Sequence, residues 1–529
     1  MKPIFNKEKN FLEKRLGFSL PSECWRKGQA IYLNTDKKTK ILSFKVEHKK
    51  IIVTFNKIDS VLKKYKNKTW QEEIEENSER LDALFNESLK NTIECMKKYP
   101  NHNWRISDST GKDSALTMFI FKMALQELKK EEKKDKGHLF DLDFFNTTND
   151  TADTYRTLKE NVKNAILFIL KEQGVSEKEL AKVDSIITNF DFFPSSNDNA
   201  DILSEVDNNS CREDVLFVLD GVDITERKLK QLFYEYYQRW VHNPEVGWHD
   251  WVEKEKEYYL PSVMVRNCCS TYKEGKQKEI LDKNTDYVLF LGMRKYESVK
   301  RSDYDWYLND AMDIMYEKTQ ENKYKLNVPR NWVRFLPIVE WRDEDVWLFI
   351  LREKIQLNPM YEMGFSRVGC LLCPYSSDYN DLLIEHYYPY QWNRWANIVE
   401  KNYDLFDVEN RLKWTKEEYI QEGKWKDSMS KVYHLIKGKP TKEKITKVSE
   451  LLDISEELAE KYFKRKCSCG KTLNPDEVAM FLKIYGRYEN EVDERVYLCK
   501  KCLCEQLGID KKTYAQKVRE YRDGGCNLF

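Results

Sequence analysis

The chain has no net charge, since 89 Lys and Arg residues balance 89 Asp and Glu. An overall field therefore argues neither for nor against a polyanionic partner, and only local patches bear on one. Long apolar runs are missing too. Stretches such as Val346 to Leu351 are far too short to span a bilayer, and Met1 to Lys9 hold no apolar signal core. No membrane association is expected, and the cytoplasm is the expected compartment. No repeat of fixed period occurs. The Walker pattern Gly-x-x-x-x-Gly-Lys-Ser/Thr is absent, which excludes a phosphate loop of that type. Nor do the thirteen cysteines suit a disulfide framework. In a reducing compartment they read as metal ligands or catalytic thiols.

What is present is a large water-exposed globular composition, with 41% hydrophobic and 34% charged residues over 529 positions. Two to four domains are expected. Residues 1–100 read as an accessory region. Within it, Ile41–Val46 and Lys50–Phe55 alternate around a charged turn and predict a hairpin. Ile74, Leu81, Leu84, Leu89, Ile93 and Met96 follow at the spacing of one long helix. Arg26 to Lys68 is rich in lysine, either as a solvated face or as a nucleic-acid face. From Asn101, short apolar runs at Trp104–Ile106, Phe140–Phe145 and Tyr287–Leu291 each end in polar loops and lead into helices. Such units predict an α/β domain with a mostly parallel sheet over 101–380, its ligand at the carboxyl ends of the strands. An insertion is expected at about 190–260, with a polar loop at Pro194–Ser210. Residues 381–465 read as helical, and 466–529 as a small cysteine-rich, zinc-ribbon-like domain.

The central motif is Ser107-Asp108-Ser109-Thr110-Gly111-Lys112-Asp113-Ser114, followed by an apolar helix. A Gly-containing turn at a helix start aims backbone N–H groups at one point and favours an anion there. Lys112 adds positive charge, Ser109 and Ser114 add hydroxyls, and Asp113 either caps the helix or helps hold Mg²⁺. A tight turn capped by Asp113 is the plain alternative.

Ser109 to Ser114 resembles the pyrophosphate loop of the PP-loop ATP pyrophosphatases and of the phosphoadenosine phosphosulfate (PAPS) reductase superfamily. Further segments match that family in order. They are Phe145–Asp150 with Asp153-Thr154-Tyr155, then Gly292-Met293-Arg294-Lys295-Tyr296-Glu297-Ser298 with Arg301. Pro337–Trp341 with Asp345-Val346-Trp347 follows, and then Asn358–Tyr361 with Gly364–Pro374. The resemblance implies an adenine-nucleotide hydrolase-like core. It implies ATP held by Ser109, Thr110, Gly111, Lys112, Asp113, Ser114, Thr147, Gly292 and Arg294, with Lys112, Asp113, Arg294 and Glu297 as the catalytic set and Mg²⁺ as companion ion.

Cys268-Cys269 and Cys370-x-x-Cys373 supply four thiols. Such a set suits a 4Fe–4S cluster or zinc, and a lone Cys-x-x-Cys also serves as a dithiol. The pattern is similar to that of cluster-bearing sulfonucleotide reductases, which implies the cluster, with Lys273, Arg294 and Arg301 as nearby positive charge. In the tail, Cys467-x-Cys469-Gly470 and Cys499-x-x-Cys502 suit structural Zn²⁺, with Cys504 and Cys526 spare. Cys526 is either structural or a distant counterpart of the mobile terminal Cys of those reductases, whose Glu-Cys-Gly-Leu-His ending is missing here.

Three functions remain open. In one, an acceptor oxygen attacks the α-phosphorus of ATP, pyrophosphate leaves, and sulfur then displaces the adenylate. This resembles the iron–sulfur PP-loop subunit of DNA phosphorothioation systems and cluster-dependent tRNA thiolation enzymes, and it implies a nucleic-acid acceptor and a sulfur-donor protein. The retained Gly-Lys-Asp-Ser, which resembles ATP-using members including the small subunit of ATP sulfurylase, favours it. The second is reduction of APS or PAPS to sulfite. The third is a nucleotide-binding scaffold within a nucleic-acid-modifying or defence complex. Oligomeric state has no signature in the sequence.

Overall fold

The computed structural model describes residues 1–132, 140–188, 216–219, 222–262, 267–281, 285–298, 301–302, 304–308, 316–318, 324–326, 332–427, 431–436, 440–463, 466–471, 473, 475–485 and 497–523. Two compact units are distinguished. The first comprises Met1–Lys45, Ile51–Glu245 and Tyr272–Leu371, and the second Val46–Lys50, Val246–Thr271 and Leu372–Phe529. This partition is coarser than the four segments expected, and it places nearly all of residues 1–100 in the same unit as the nucleotide loop.

An N-terminal sheet runs in the order β1 (Lys2–Pro3), β2 (Trp25–Lys27), β3 (Ala30–Tyr32), β4 (Lys40–Glu47), β5 (Lys50–Asn56). The expected hairpin is β4 and β5. The expected single helix is two, Trp70–Glu76 and Ser78–Lys98. Asn77, at φ −107° and ψ 5°, ends the first and starts the second, and its N–H bonds to Glu73 O. The apolar stripe runs through this joint, so periodicity alone gave no sign of the break.

The second sheet is α/β and entirely parallel. Its strands are β6 (Asn103–Ser107), β7 (Asp141–Phe145), β10 (Val241–His242), β11 (Tyr287–Phe290) and β14 (Trp332–Phe335). The small pairs β8 (Leu216–Leu219) with β9 (Val222–Thr225), and β12 (Tyr316–Lys318) with β13 (Tyr324–Leu326), stand apart from it. Spatial order is β10-β7-β6-β11-β14, with every neighbouring pair parallel. The chain leaves β6 in one direction and returns to its other side at β11. The β6–β11 gap is therefore the topological switch point, and the crevice at its carboxyl end is where ligands of such sheets bind.

β11 is buried along its whole length, as a strand covered on both faces must be. Phe290 packs edge-on to Phe121, with centroids 4.8 Å apart, and Phe121 to Phe140 at 5.2 Å. Helix Ala152–Glu172 starts at Thr151, whose hydroxyl accepts from Thr154 N, and buries Leu158, Val162, Ala165, Ile166 and Ile169 on one face.

The span expected as an insertion is only partly one. Helix Glu226–Trp240, which buries Leu229, Phe233, Tyr237 and Trp240, and β10 after it both belong to the sheet layer. A two-residue strand offers no alternation to read, which is why the sequence hid it. Pro194–Ser210 lies outside the described residues.

A buried charge network ties β6, β7 and β10 together. Arg105 is bidentate to Asp143 at 2.7 and 2.8 Å and reaches Asp141 at 3.0 Å. Asp141 also accepts from Arg239 and Trp240 Nε1, and His242 Nε2 lies 2.7 Å from Asp143. Each buried charge thus has partners, the condition under which ions persist in a core.

In the second unit, helices Asp378–Tyr387, Pro389–Leu405, Val408–Leu412 and Lys416–Gln421 pack around buried Trp395, which meets Trp425 edge-on at 4.4 Å. Helices Pro475–Tyr485, Lys500–Leu507 and Lys511–Asp523 form the C-terminal part. Among the described residues no helix is long and apolar enough to cross a membrane.

Candidate nucleotide site and cysteine centres

At the end of β6 the backbone turns sharply, and Asp108 organises the turn. Its Oδ1 accepts from Thr110 N at 2.7 Å and from Ser114 Oγ at 3.2 Å, and its Oδ2 from Asn161 at 2.7 Å. Burial pushes this carboxyl above its usual range despite those bonds. The bond from i to i+2 holds Thr110 at φ 55°, a left-handed conformation that a β-branched residue rarely adopts. The second loop repeats the device. Asn146 Oδ1 accepts from Thr148 N at 2.8 Å, and Thr148 also sits at φ 55°.

Ser114 differs from expectation. Its hydroxyl lies within 3.3 Å of Ser109 N, 3.1 Å of Gly111 N and 2.9 Å of Gly111 O, so it braces the loop from within rather than pointing outward. A buried small hydroxyl beside three backbone groups bonds to them first. Ser109 Oγ lies 3.3 Å from it.

Lys112 opens helix Lys112–Glu132. Its N–H donates to the Tyr361 hydroxyl at 2.9 Å, and its Nζ lies 2.6 Å from Asp113 and 3.2 Å from Asp343. Buried Arg294, from the loop after β11, donates to Asp113 at 2.8 Å and to Asp343 at 3.1 Å. Two cations and two carboxylates thus interlock. Burial opposes the charge on Lys112, but Asp113 and Asp343 outweigh it and hold its pKa above the ordinary lysine value. Burial likewise opposes Asp343, yet Lys112, the Met1 amino group 3.0 Å away and Arg294 together keep it well below the usual carboxylate range. Burial pushes the Tyr361 phenol up to about 12, so it stays neutral.

Gly292 sets how closely the two loops meet. A Cβ there would stand 2.9 Å from the backbone C and O of Asp113, so a side chain would force them apart. Glu297 lies 3.8 Å from Arg294 Nε and pairs with Arg301. Thr147 donates to Asp150 at 2.7 Å, and the Cys370 thiol reaches Thr147 Oγ1 at 3.5 Å. Leu371 N also bonds to Asn149 O at 2.7 Å. The first Cys of Cys370-x-x-Cys373 therefore stands at the second-strand loop.

Sequence reading missed several of these partners. Asp343 lay between two quoted motif segments, and its signal was an acid in the first turn of a helix following a strand. Tyr361 and Asn358 stood inside a quoted segment without a role. Asn358 Nδ2 lies 3.4 Å from both Thr110 Oγ1 and Thr154 Oγ1.

Cys268, Cys269, Cys370 and Cys373 are each half-buried. Cys268 and Cys269 lie on the short helix Asn267–Cys269, and Lys273 follows in the next turn. Cys370 belongs to the first unit and the other three to the second.

The C-terminal set is brought together. The ligand atoms of Cys467, Cys469, Cys499 and Cys502 all lie within 4.8 Å of one another. Cys469 and Cys499 sulfurs are 3.8 Å apart, and Cys499 and Cys502 sulfurs 3.7 Å. A tetrahedron with Zn–S of about 2.3 Å has edges of about 3.8 Å, so the spacing fits one zinc ion. A cubane cluster, with its thiolates spread around four irons, needs wider spacing. Gly470 at φ 84° closes the knuckle, and Cys499 caps helix Lys500–Leu507 with Cys502 in its first turn. Burial works against ionising Cys467, but N–H groups of Cys469 and Cys499 bring its thiol down to about 6. Hydrogen bonds with its three neighbours push Cys502 up to about 12. Buried Glu477 braces the knuckle through Lys471 Nζ at 2.8 Å and Lys500 N at 2.9 Å. Cys504 packs with Met480, Leu503, Tyr514 and Val518 instead of joining the set. Cys526 lies outside the described residues.

Comparison with known proteins bears on part of the chain. The model of the phosphoadenosine phosphosulfate reductase domain matches residues 226–376. This part of the chain is similar to PAPS reductase domains. The match takes in β10, β11, β14, Arg294, Asp343 and the Cys370-x-x-Cys373 segment, while the loop at 109–114 lies before it. An uncharacterized protein of Methanocaldococcus jannaschii is 28% identical over 176 residues, 33% of this chain and 32% of that protein. A protein of Escherichia phage 186, also uncharacterized, is 32% identical over 119 residues, 22% of this chain and 31% of its own. The adenosine 5'-phosphosulfate reductase of Salinibacter ruber is 24% identical over 114 residues, 22% of this chain and 38% of the enzyme. The chain thus spans about a third of the length of these relatives.

Proposed function

We propose that this PAPS reductase-family protein is an enzyme that binds ATP at the 109–114 loop, transfers adenylate to an acceptor with release of pyrophosphate, and couples this to sulfur transfer onto nucleic acid. The observation that carries the reading is the meeting of Lys112 and Arg294 over Asp113 and Asp343 at the sheet's switch point. Two cations fixed there suit a polyphosphate whose leaving group gains charge as the α-phosphorus bond breaks. In this reading Lys112 and Arg294 neutralise the leaving pyrophosphate. Asp113, shared between them, is the residue that would hold Mg²⁺, and Glu297 steadies Arg294. Loop N–H groups at the helix start hold phosphate oxygens.

The four central thiols suit a 4Fe–4S cluster as a donor set. A cluster bound by Cys268, Cys269, Cys370 and Cys373 would supply a site to carry or relay sulfur, fed by a donor protein. The contact of Cys370 with Thr147 supports a place for that thiol at the loop after β7. Zinc at the C-terminal knuckle has a structural part.

A second reading, reduction of APS or PAPS to sulfite, is favoured by the matches to proteins named as adenosine 5'-phosphosulfate reductases. Anaerobic assays with ATP, APS and PAPS supplied separately distinguish the two. The proposal expects AMP and pyrophosphate from ATP, stimulated by nucleic acid and abolished in Lys112→Ala. Sulfite from APS or PAPS with a thiol reductant, and no turnover of ATP, would overturn it in favour of the reductase.

A further inference from the structure

Residues 37–68 carry eleven lysines against two carboxylates, Glu47 and Asp59, in a chain whose total charge is balanced. Part of this excess is neutralised within the fold, where Lys66 pairs with Glu72 and Lys68 with Glu76 at 2.5 Å each. Lys45, Lys49 and Lys50 lie toward the turn of the β4–β5 hairpin, where Lys49 pairs with Glu385, whereas Lys37, Lys38, Lys40, Lys57, Lys63 and Lys64 gather at its open end, within the first unit. Lys57 N bonds to Ile41 O at 2.9 Å, which sets the end of β5 beside the start of β4. Lys37 and Lys38 occupy the turn just before β4, and Lys63 and Lys64 the turn after the short helix Ile58–Leu62. Lys37, Lys38, Lys57, Lys63 and Lys64 are exposed, and among the described residues none of them pairs with a carboxylate.

Aromatic rings lie among these cations. Half-buried Phe55 has Lys40 Nζ 5.0 Å and Lys57 Nζ 5.4 Å from its centroid, and Lys64 Nζ stands 5.4 Å from Tyr65. A plain solvated face has no need to hold lysines over rings or to leave so many without counter-charge.

We infer that this end of the hairpin docks nucleic acid, the lysines contacting phosphates and Phe55 and Tyr65 offering ring faces to unpaired bases. Phosphate neutralisation supplies most of the affinity of such surfaces, and aromatic faces add sequence-tolerant stacking on single strands. The surface stands independently of the adenylation chemistry and rests on that reading only in making the bound polymer the sulfur acceptor. An acidic protein or an anionic membrane would use the charges without the rings, and Ile52 and Val53, at 39% and 37% exposure, give a bilayer little to take up.

Fluorescence anisotropy of the full chain with a labelled 30-nucleotide single strand, across 50 to 200 mM salt, tests this. Lys57→Ala/Lys63→Ala/Lys64→Ala is expected to bind at least tenfold more weakly and to lower the slope of log K against log salt by about 2, at roughly 0.7 per lysine. An unchanged slope and affinity in the triple variant overturns the inference. So does equal displacement of the strand by polyglutamate, or binding to phosphatidylserine vesicles with none to nucleic acid. ATP–pyrophosphate exchange in the presence of the strand is measured in parallel. Exchange absent from the unaltered protein while the strand still binds counts against the adenylation reading and leaves the surface standing.

Discussion

In the loops after β6 and β11, positive and negative side chains cancel one another from within the chain. Lys112 and Arg294 share Asp113 and Asp343, while Asp108 and Ser114 brace the turn beneath them. In the C-terminal knuckle, four thiols crowd around one point. The first constellation is closed by partners within the chain. The second is a set of thiols that could hold a metal ion. Preorganisation by internal ion pairs belongs where a substrate must come and go, and closure by a metal where the ion stays.

The largest effect that bears on this contrast should come from the knuckle. Cys499→Ala, or prolonged chelation, is expected to take zinc from about one ion per chain to near zero and to strip hydrogen-exchange protection from 466–523. Structural zinc sites in small domains are worth on the order of 10 kcal/mol. Helix Lys112–Glu132 should keep its protection in the same experiment. A knuckle that stays protected without metal would place the two constellations in one class.

Next comes Arg294→Ala, which leaves Asp113 with Lys112 alone and Asp343 with Lys112 and the Met1 amino group. Removing one partner of a buried ionic set costs about 3 kcal/mol, readable as a lower urea midpoint at unchanged slope. An unaltered midpoint would mean that the pairs form only with nucleotide present. Gly292→Ala probes the same site sterically, through the 2.9 Å approach to Asp113. About 1–3 kcal/mol is expected, with nucleotide affinity falling alongside stability.

The smallest effect is one of pH. The Asp343 pKa is lowered on folding, so its pairs contribute fully above the unfolded value near 4, and that contribution is lost as pH falls through the still lower folded value. Asp343→Asn should flatten this acid limb of a stability–pH curve slightly, because the half-buried side chain is partly screened by solvent. A curve that keeps its shape in the variant would assign the limb to other carboxylates.

Much of this was written in local pattern. Trp104–Ile106 and Tyr287–Leu291 announced their strands through apolar runs, and Ser109–Ser114 announced its loop through Gly111 and Lys112. Cys467, Cys469, Cys499 and Cys502 were legible because metal ligands come in short spacings. What escaped depends on partners far apart in the chain. Asp343 matters because β14 delivers it to Lys112, 231 positions away. Arg105, Asp141 and Asp143 are polar positions within apolar strands, and the partners Trp240 and His242 come from a helix end and a strand far along the chain. Ser114 looked like a ligand donor because a sequence does not show which way a hydroxyl turns.

β10 has one more consequence. A parallel sheet that ends in a long bare strand invites another chain to add itself, and the usual defences are brevity, charge or a covering element. Here the flank beside β7 is two residues long, with His242 tied by its side chain to Asp143. So short an edge exposes few unpaired backbone groups to a passing strand. The network that fixes β10 in place therefore also keeps its few backbone groups paired with Phe144 and Phe145 of β7.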